Sequence, residues 1–268
     1  MPTYTDQTGH SIELNAPARR IVSVVPSQSE LLWDLNLRDE LAGITKFCIH
    51  PEDMFRSKTR VGGTKVLNMD TIDSLQPDLI LANKEENEKI QIEALREKYP
   101  VWTSDVRDLP SSLEMLVEVG KMTDRLDAAY EWVGKISDAF AVLPSVPLAQ
   151  QPSAAYLIWH NPVMLAGADT FIDDMLFRCG FRNVCPANQG HYPSVTTEGL
   201  KALKPDFLLL SSEPYPFKEK HKEAWQERMP GTQVILVDGE LFSWYGSRLA
   251  KAPEYFLEVR KAFVAGLR

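Results

Sequence analysis

Three aromatic rings and a guanidinium fall within one short stretch of this chain, GELFSWYGSRLAKAP at residues 239–253: Phe242, Trp244, Tyr245 and Arg248. Connecting segments are ordinarily small and polar, so this composition calls for a reason. Aromatic faces suit a flat, conjugated or bulky apolar molecule, and Arg, Lys and His supply orientation and charge. Arg248 also suits a position over an aromatic ring. Residues of the same kind recur elsewhere. Phe47 and His50 follow one apolar run, Lys84 and Glu85 another, and Trp159 and His160 a third. Glu213 and Tyr215 follow a fourth, and His191 and Tyr192 sit in a separate loop. The chemistry is that of a binding site. A G-x-S-x-G elbow, a P-loop and an H-E-x-x-H helix are all missing from the sequence.

The apolar runs that must carry these residues are strand-sized. Strands are expected at 21–25, 41–45, 79–82 and 101–104, and again at 154–159, 207–210 and 234–237. Helical patterns separate them, around residues 30–35 in the first half and 171–177 in the second, with a closing helix reaching 267. Alternating strands and helices favour parallel sheets covered by helices. In such sheets ligands bind beyond the carboxyl ends of the strands. The predicted set is therefore Phe47, His50, Lys84, Trp159, His160, Tyr215, Trp244, Tyr245 and Arg248, which follow strands, with Tyr192 from the separate loop reaching inward. Gly239 and Gly246 are expected to let the backbone turn without steric penalty.

The chain also repeats itself. Asp70-Thr-Ile-Asp-Ser-Leu75-Gln-Pro77-Asp78 returns as Glu198-Gly-Leu-Lys-Ala-Leu203-Lys-Pro205-Asp206. In each copy an acid stands seven residues before a Pro-Asp pair, a Leu two before it, and an apolar strand follows. Between the halves a helix starts at Pro110. Asp124 reads as the N-cap of another, in which Leu126, Ala129, Tyr130, Val133, Ile136 and Phe140 recur at helical spacing. To Ala141 that helix spans roughly 27 Å. The reading is an N-terminal α/β lobe over 1–123, a linking helix over 124–145 and a C-terminal α/β lobe over 146–268. One long helix between lobes predicts limited opening and closing.

This ordered set resembles the class III periplasmic substrate-binding proteins of ABC importers, the helical-backbone metal receptors. It comprises the first strand ending in Pro26-Ser27, Arg60-Val-Gly-Gly-Thr-Lys65 leading to Leu75-Gln-Pro-Asp78, the second-half copy and the linking helix. The resemblance covers the chain from about Arg20 to the end. It implies two Rossmann-like lobes joined by one backbone helix, and transport of cobalamin, haem or an iron–siderophore complex bound in the cleft between lobes. It further implies that Asp70 and Glu198 dock onto a membrane permease. Asp70 is shorter than the glutamate usual at that position. The family's default is a monomer without a cofactor of its own, its ligand carrying cobalt or iron. A corrinoid fits the aromatic content best.

Other readings stay open on the residues. His50, His160, His191, Glu85 and Glu213 also suit a bilobal chelatase-like tetrapyrrole enzyme, although His50 and His191 read as loop histidines and no protein-held metal is expected. A cytosolic carrier or sensor on the same fold is the other alternative. The first twenty residues show neither a basic start nor an apolar segment, so they are not a secretory leader as they stand. The location is then the periplasm or cell envelope by resemblance, or the cytoplasm. The 268 residues suffice for one large domain or two smaller ones, and 44% hydrophobic with 25% charged content is that of a globular protein. A net charge of −8 with scattered Lys and Arg disfavours nucleic acid, and membrane contact is expected only through the permease. Cys48, Cys179 and Cys185 form no C-x-x-C and read as small buried hydrophobes.

Overall fold

The computed structural model of the chain describes residues 1–145 and 150–266, with side chains up to residue 261. It divides into two compact units. The first comprises Met1–Val106, Pro110–Ser137 and Tyr245–Ala250. The second comprises Arg107–Leu109, Asp138–Trp244 and Lys251–Arg268. The expected lobe boundary at 145/146 lies at the edge of the described residues, and the loop 143–152 lies partly outside them.

The first unit contains β1 (Thr3–Thr5), β2 (Ser11–Glu13), β3 (Ile21–Ser23), α1 (Pro26–Asp34), β4 (Leu41–Ile44), α2 (Glu52–Ser57) and β5 (Thr59–Arg60). It continues with α3 (Met69–Leu75), β6 (Leu79–Asn83), α4 (Lys89–Arg96) and β7 (Val101–Ser104), then α5 (Leu109–Met122) and the start of α6 (Leu126–Ala141). Its main sheet runs β5-β4-β3-β6-β7, parallel throughout. Val22, Ile80 and Val101 on these strands pack with Ile72 of α3 and Ile92 and Leu95 of α4. The Asp6 carboxylate ties the β1–β2 hairpin to β7. It accepts from Thr8 N and His10 N, from Thr103 N, and from Arg96 Nη2 at 2.8 Å.

The second unit holds β8 (Ser153–Trp159), β9 (Val163–Leu165), α7 (Phe171–Arg178), β10 (Arg182–Asn183), β11 (Ser194–Val195) and α8 (Thr197–Ala202). After these come β12 (Phe207–Ser211), α9 (Glu219–Arg228), β13 (Gln233–Val237), α10 (Glu240–Ser243) and α11 (Ala252–Gly266). The strands β8, β12 and β13 are parallel, as the apolar runs predict. The sheet is nevertheless mixed. Its order is β11-β9-β8-β12-β13, and β9 is antiparallel to both β8 and β11. The turn from Trp159 to Val163 is too short for a crossover, so only a hairpin can close it.

The repeated Pro-Asp motif does the same work in both units. Gln76 and Lys204, just before each proline, take left-handed backbone (φ +46° in both) and end α3 and α8. The aspartate that follows then reaches the residues that lead into β3 or begin β8. Asp78 accepts from Arg19 N and Arg20 N, each at 2.8 Å, and Asp206 accepts from Ser153 N at 2.8 Å and Ser153 Oγ at 2.6 Å. The matched helices start alike too, with the Asn68 side chain accepting from Thr71 N and Thr196 from Gly199 N. Asp70 and Glu198 stand at the second position of each, exposed.

Two local expectations change. Asp124 does not cap α6. It takes φ +59° in the turn closing α5, where Arg125 N bonds back to Gly120 O at 2.8 Å. Aspartate is among the few residues that tolerate this conformation. Gly246 has the positive φ expected of it (+104°), but Gly239 is right-handed. There a Cβ would stand 2.3 Å from Ser211 Oγ, so glycine is needed for space.

Removing either latch leaves backbone N–H groups unpaired. Asp78→Ala and Asp206→Ala are each expected to lower the unfolding free energy by about 1–3 kcal/mol in denaturant titrations. The corresponding Asn variants, which keep an acceptor, should lose less.

Candidate ligand-binding site

Polar groups crowd the carboxyl edge of the first unit's sheet. Gln28 of α1 donates to Ser104 Oγ at 2.6 Å, and Asn83 Nδ2 donates to the same oxygen at 3.0 Å. Asn83 Oδ1 accepts from Glu85 N and Glu86 N, and Asn87 Nδ2 bonds to Val24 O and Thr64 O. The turn that carries Lys84, Glu85 and Glu86 is therefore fixed from beneath. Lys84 Nζ meets Asp105 Oδ2 at 2.7 Å, which makes Asp105, beyond the end of β7, its partner. Phe47 is 49% exposed, with Lys46 Nζ 5.1 Å from its ring centroid, and His50 follows at the start of a cis peptide to Pro51.

The opening motif splits between the units. Tyr245–Ala250 belongs to the first, while Gly239–Trp244 belongs to the second. Tyr245 is 4% exposed and its hydroxyl donates to Glu86 Oε1 at 3.0 Å. Burial, followed by the Glu86 charge, pushes its phenol well above the ordinary range. Arg248 makes a paired contact with Glu30 of α1, Nε to Oε2 at 2.7 Å and Nη2 to Oε1 at 2.8 Å. Both side chains are nearly buried. The structure thus gives Tyr245 and Arg248 internal partners, and they anchor the segment 245–250 to the first unit's sheet edge. Gly246 assists, since a Cβ there would come within 3.2 Å of Ser27 O.

The second unit brings Trp159, His160 and Tyr215 together. Tyr215 N donates to Ile158 O, which lays the loop after β12 over the end of β8. The Tyr215 ring then stacks on His160, with centroids 5.4 Å apart at 30°, and meets Trp159 edge-on at 5.7 Å. Buried Phe217 supports Tyr215 from 4.8 Å. Trp159 is 39% exposed, with its indole N–H bonded to Asn161 O at 3.1 Å. His160 Nδ1 is buried and has no hydrogen-bond partner among the described residues. His221 of α9 completes the cluster, 5.2 Å from His160 between centroids and with Nε2 3.2 Å from Tyr215 Oη. The sequence reading missed it, because α9 (EKHKEAWQER) looks like a solvated charged helix. The usable signal was the run Tyr215-Pro-Phe217 with a histidine one helical turn beyond.

Glu213 binds the other side of the same loop. Ser243 Oγ donates to Glu213 Oε1 at 2.6 Å, and the Trp244 side chain bonds to the same carboxyl group. Trp244 is 7% exposed. Tyr192 lies ahead of β11, edge-on to His191 at 6.3 Å. Among the described residues, no group of three or more His, Cys, Asp or Glu side chains is placed to hold a metal ion. The histidines and glutamates of the chelatase reading are divided between the units. His50 and Glu85 lie in the first unit, and His160, His191 and Glu213 in the second.

The sequence matches the periplasmic binding protein family over residues 21–230. The chain belongs to that family. Its members are binding proteins of ABC transporters rather than enzymes. An ABC transporter substrate-binding lipoprotein of Bacillus subtilis is 24% identical over 268 residues, covering 96% of this chain and 84% of its own. Among solved structures, the periplasmic vitamin B12-binding protein of Vibrio cholerae superimposes with a TM-score of 0.76 at 19% identity, over 91% of this chain and 98% of its own. A periplasmic haem-binding protein in complex with two haems gives 0.75 at 24%, over 94% and 100%. At these identities the superpositions establish a shared fold.

Burial pushes the Glu213 carboxyl up to about 7, against the opposing Ser243 hydrogen bond. A raised carboxyl pKa means that the folded chain holds a proton which the unfolded chain has already lost. This contribution is complete below about pH 4.5 and is lost as pH rises through about 7. Relative to Glu213→Gln, which cannot titrate, the protein should lose on the order of 3 kcal/mol of unfolding free energy between pH 4.5 and 8. Denaturant titrations of both proteins across that range measure the difference.

The Glu30–Arg248 pair makes a second prediction. Arg248→Met leaves a carboxylate unpaired in a nearly buried site and should cost about 3 kcal/mol of stability. Adding Glu30→Gln to that variant should restore part of the loss.

Proposed function

We propose that this chain is the substrate-binding component of an ABC importer, working outside the cytoplasm as a monomer and presenting a metal chelate to its permease. The observation that carries this reading is the aromatic platform of Trp159, His160 and Tyr215, packed together at the carboxyl ends of the parallel strands β8 and β12 in a chain of this family. Aromatic faces with few polar groups suit a large planar or enclosed ligand. A corrinoid such as cobalamin fits best, with haem and iron–siderophore complexes as the other members of the class. Two similar proteins are named for vitamin B12 and haem. The cobalt or iron arrives inside the ligand.

Trp244, Tyr192, Phe47, His50 and Lys84 complete the set of ligand-facing residues in this reading. Tyr245 and Arg248 serve it indirectly, by fixing the backbone next to Trp244. The acids Asp70 and Glu198 serve as permease contacts. Support comes from their matched places in the first turns of α3 and α8.

Quenching of tryptophan fluorescence by cyanocobalamin, haemin and ferrichrome tests the ligand class. Saturable quenching by at least one is expected, and silence from all three would sink the reading. Asp70→Ala with Glu198→Ala should abolish uptake in cells and leave that quenching unchanged. A loss of quenching in the double variant would assign the acids to the ligand instead.

A further inference from the structure

His221 has a fixed proton. Its Nδ1 accepts a hydrogen bond from Lys218 N at 2.9 Å, and a ring nitrogen that accepts from an amide carries no hydrogen. The neutral ring therefore has its proton on Nε2, which lies 3.2 Å from Tyr215 Oη. The Nε2–H donates and the tyrosine oxygen accepts. Tyr215 cannot return its own hydroxyl proton to Nε2, so that proton points at a different acceptor. The ring plane is already set by His160 on one face and by Trp159 and Phe217 at its edges.

We propose that His221 is a positioning residue whose Nε2–H form aims the Tyr215 hydroxyl at an acceptor oxygen of the bound chelate, and that protonating His221 weakens binding. This rests on the importer reading and names the ligand feature it selects: a carboxylate, amide or hydroxamate oxygen beside the aromatic face.

The surroundings oppose a second proton. A hydrogen on Nδ1 would face the Lys218 N–H and break the cap of α9, where glutamate or glutamine ordinarily performs this role. A positive ring at a helix N-terminus also opposes the helix dipole. The groups around it are His160, Tyr215, Lys218 and Lys220, together with Glu219, whose charge is taken by Lys222 at 2.8 Å. Desolvation first, then His160 and the two lysines, hold His221 below the ordinary histidine range. The ring is thus biased towards its neutral form. The same cap argues against a bare metal on this cluster. Histidine bound through Nε2 carries its proton on Nδ1, the position that Lys218 N–H occupies.

The test uses the full chain and has two readouts. Nitrogen-15 NMR of the ligand-free protein should show His221 as the Nε2–H tautomer at pH 8. Quenching by cyanocobalamin, haemin and ferrichrome is then followed from pH 8 to pH 5. The wild type should lose about tenfold in affinity for its ligand on acidification, and Tyr215→Phe should lose about tenfold already at pH 8. His221→Gln keeps an acceptor for Lys218 N and a donor for Tyr215 without titrating. It should bind like the wild type at pH 8 and respond less to acid. A purely structural cap predicts the reverse pattern, with Tyr215→Phe binding normally and only acid stability changing, and that result overturns the inference. So does the Nδ1–H tautomer, or a pH response that His221→Gln shares in full. If none of the probes binds at pH 8, the importer reading falls and this inference falls with it.

Discussion

Parallel strands cannot be joined by hairpins, and most of this molecule's organisation follows from that limit. Each parallel strand must be re-entered from the same end, so the chain crosses over through a helix and its loops gather at the carboxyl edge. In the first unit those loops bring Phe47, His50, Lys84 and the Asn83–Asn87 turn to one edge. In the second they bring Trp159, His160 and Tyr215 to one edge, and Glu213 carries Trp244 beside them. The antiparallel excursion through β9 and β11 leaves this arrangement intact because it departs from the far side of β8, away from β12.

Carboxylates do the fastening. Asp78 holds the backbone N–H groups that lead into β3, Asp206 holds the start of β8, and Asp6 holds the terminal hairpin to β7. Glu30 fastens a segment 218 residues away in the chain. Glu213 differs from these in that its burial raises the carboxyl pKa against the hydrogen bonds from Ser243 and Trp244. Its carboxyl is pushed up to about 7, so its protonation state changes within an ordinary pH range.

The parallel sheets were legible because their strands are continuous apolar runs, and the duplication because both copies of the Pro-Asp latch need the same residues. The two-residue strands β5, β10 and β11 were not legible, since pairs of residues carry no period. The fate of Tyr245 and Arg248 was also hidden. Their types suit a ligand site, and only the long-range approach of Glu86 and Glu30 shows that they are engaged internally. His221 was invisible for the opposite reason. Its neighbours in sequence are charged, while the rings that give it meaning come from the ends of other strands.

The three cysteines, expected to be small buried hydrophobes, are free and buried, and Cys48 lies 3.1 Å from both Ser29 Oγ and Thr45 Oγ1. Burial raises all three thiols above their ordinary range. Thiol–disulfide exchange requires the thiolate and an open approach to sulfur. The thiols of the folded chain are therefore poorly placed for exchange with an external disulfide.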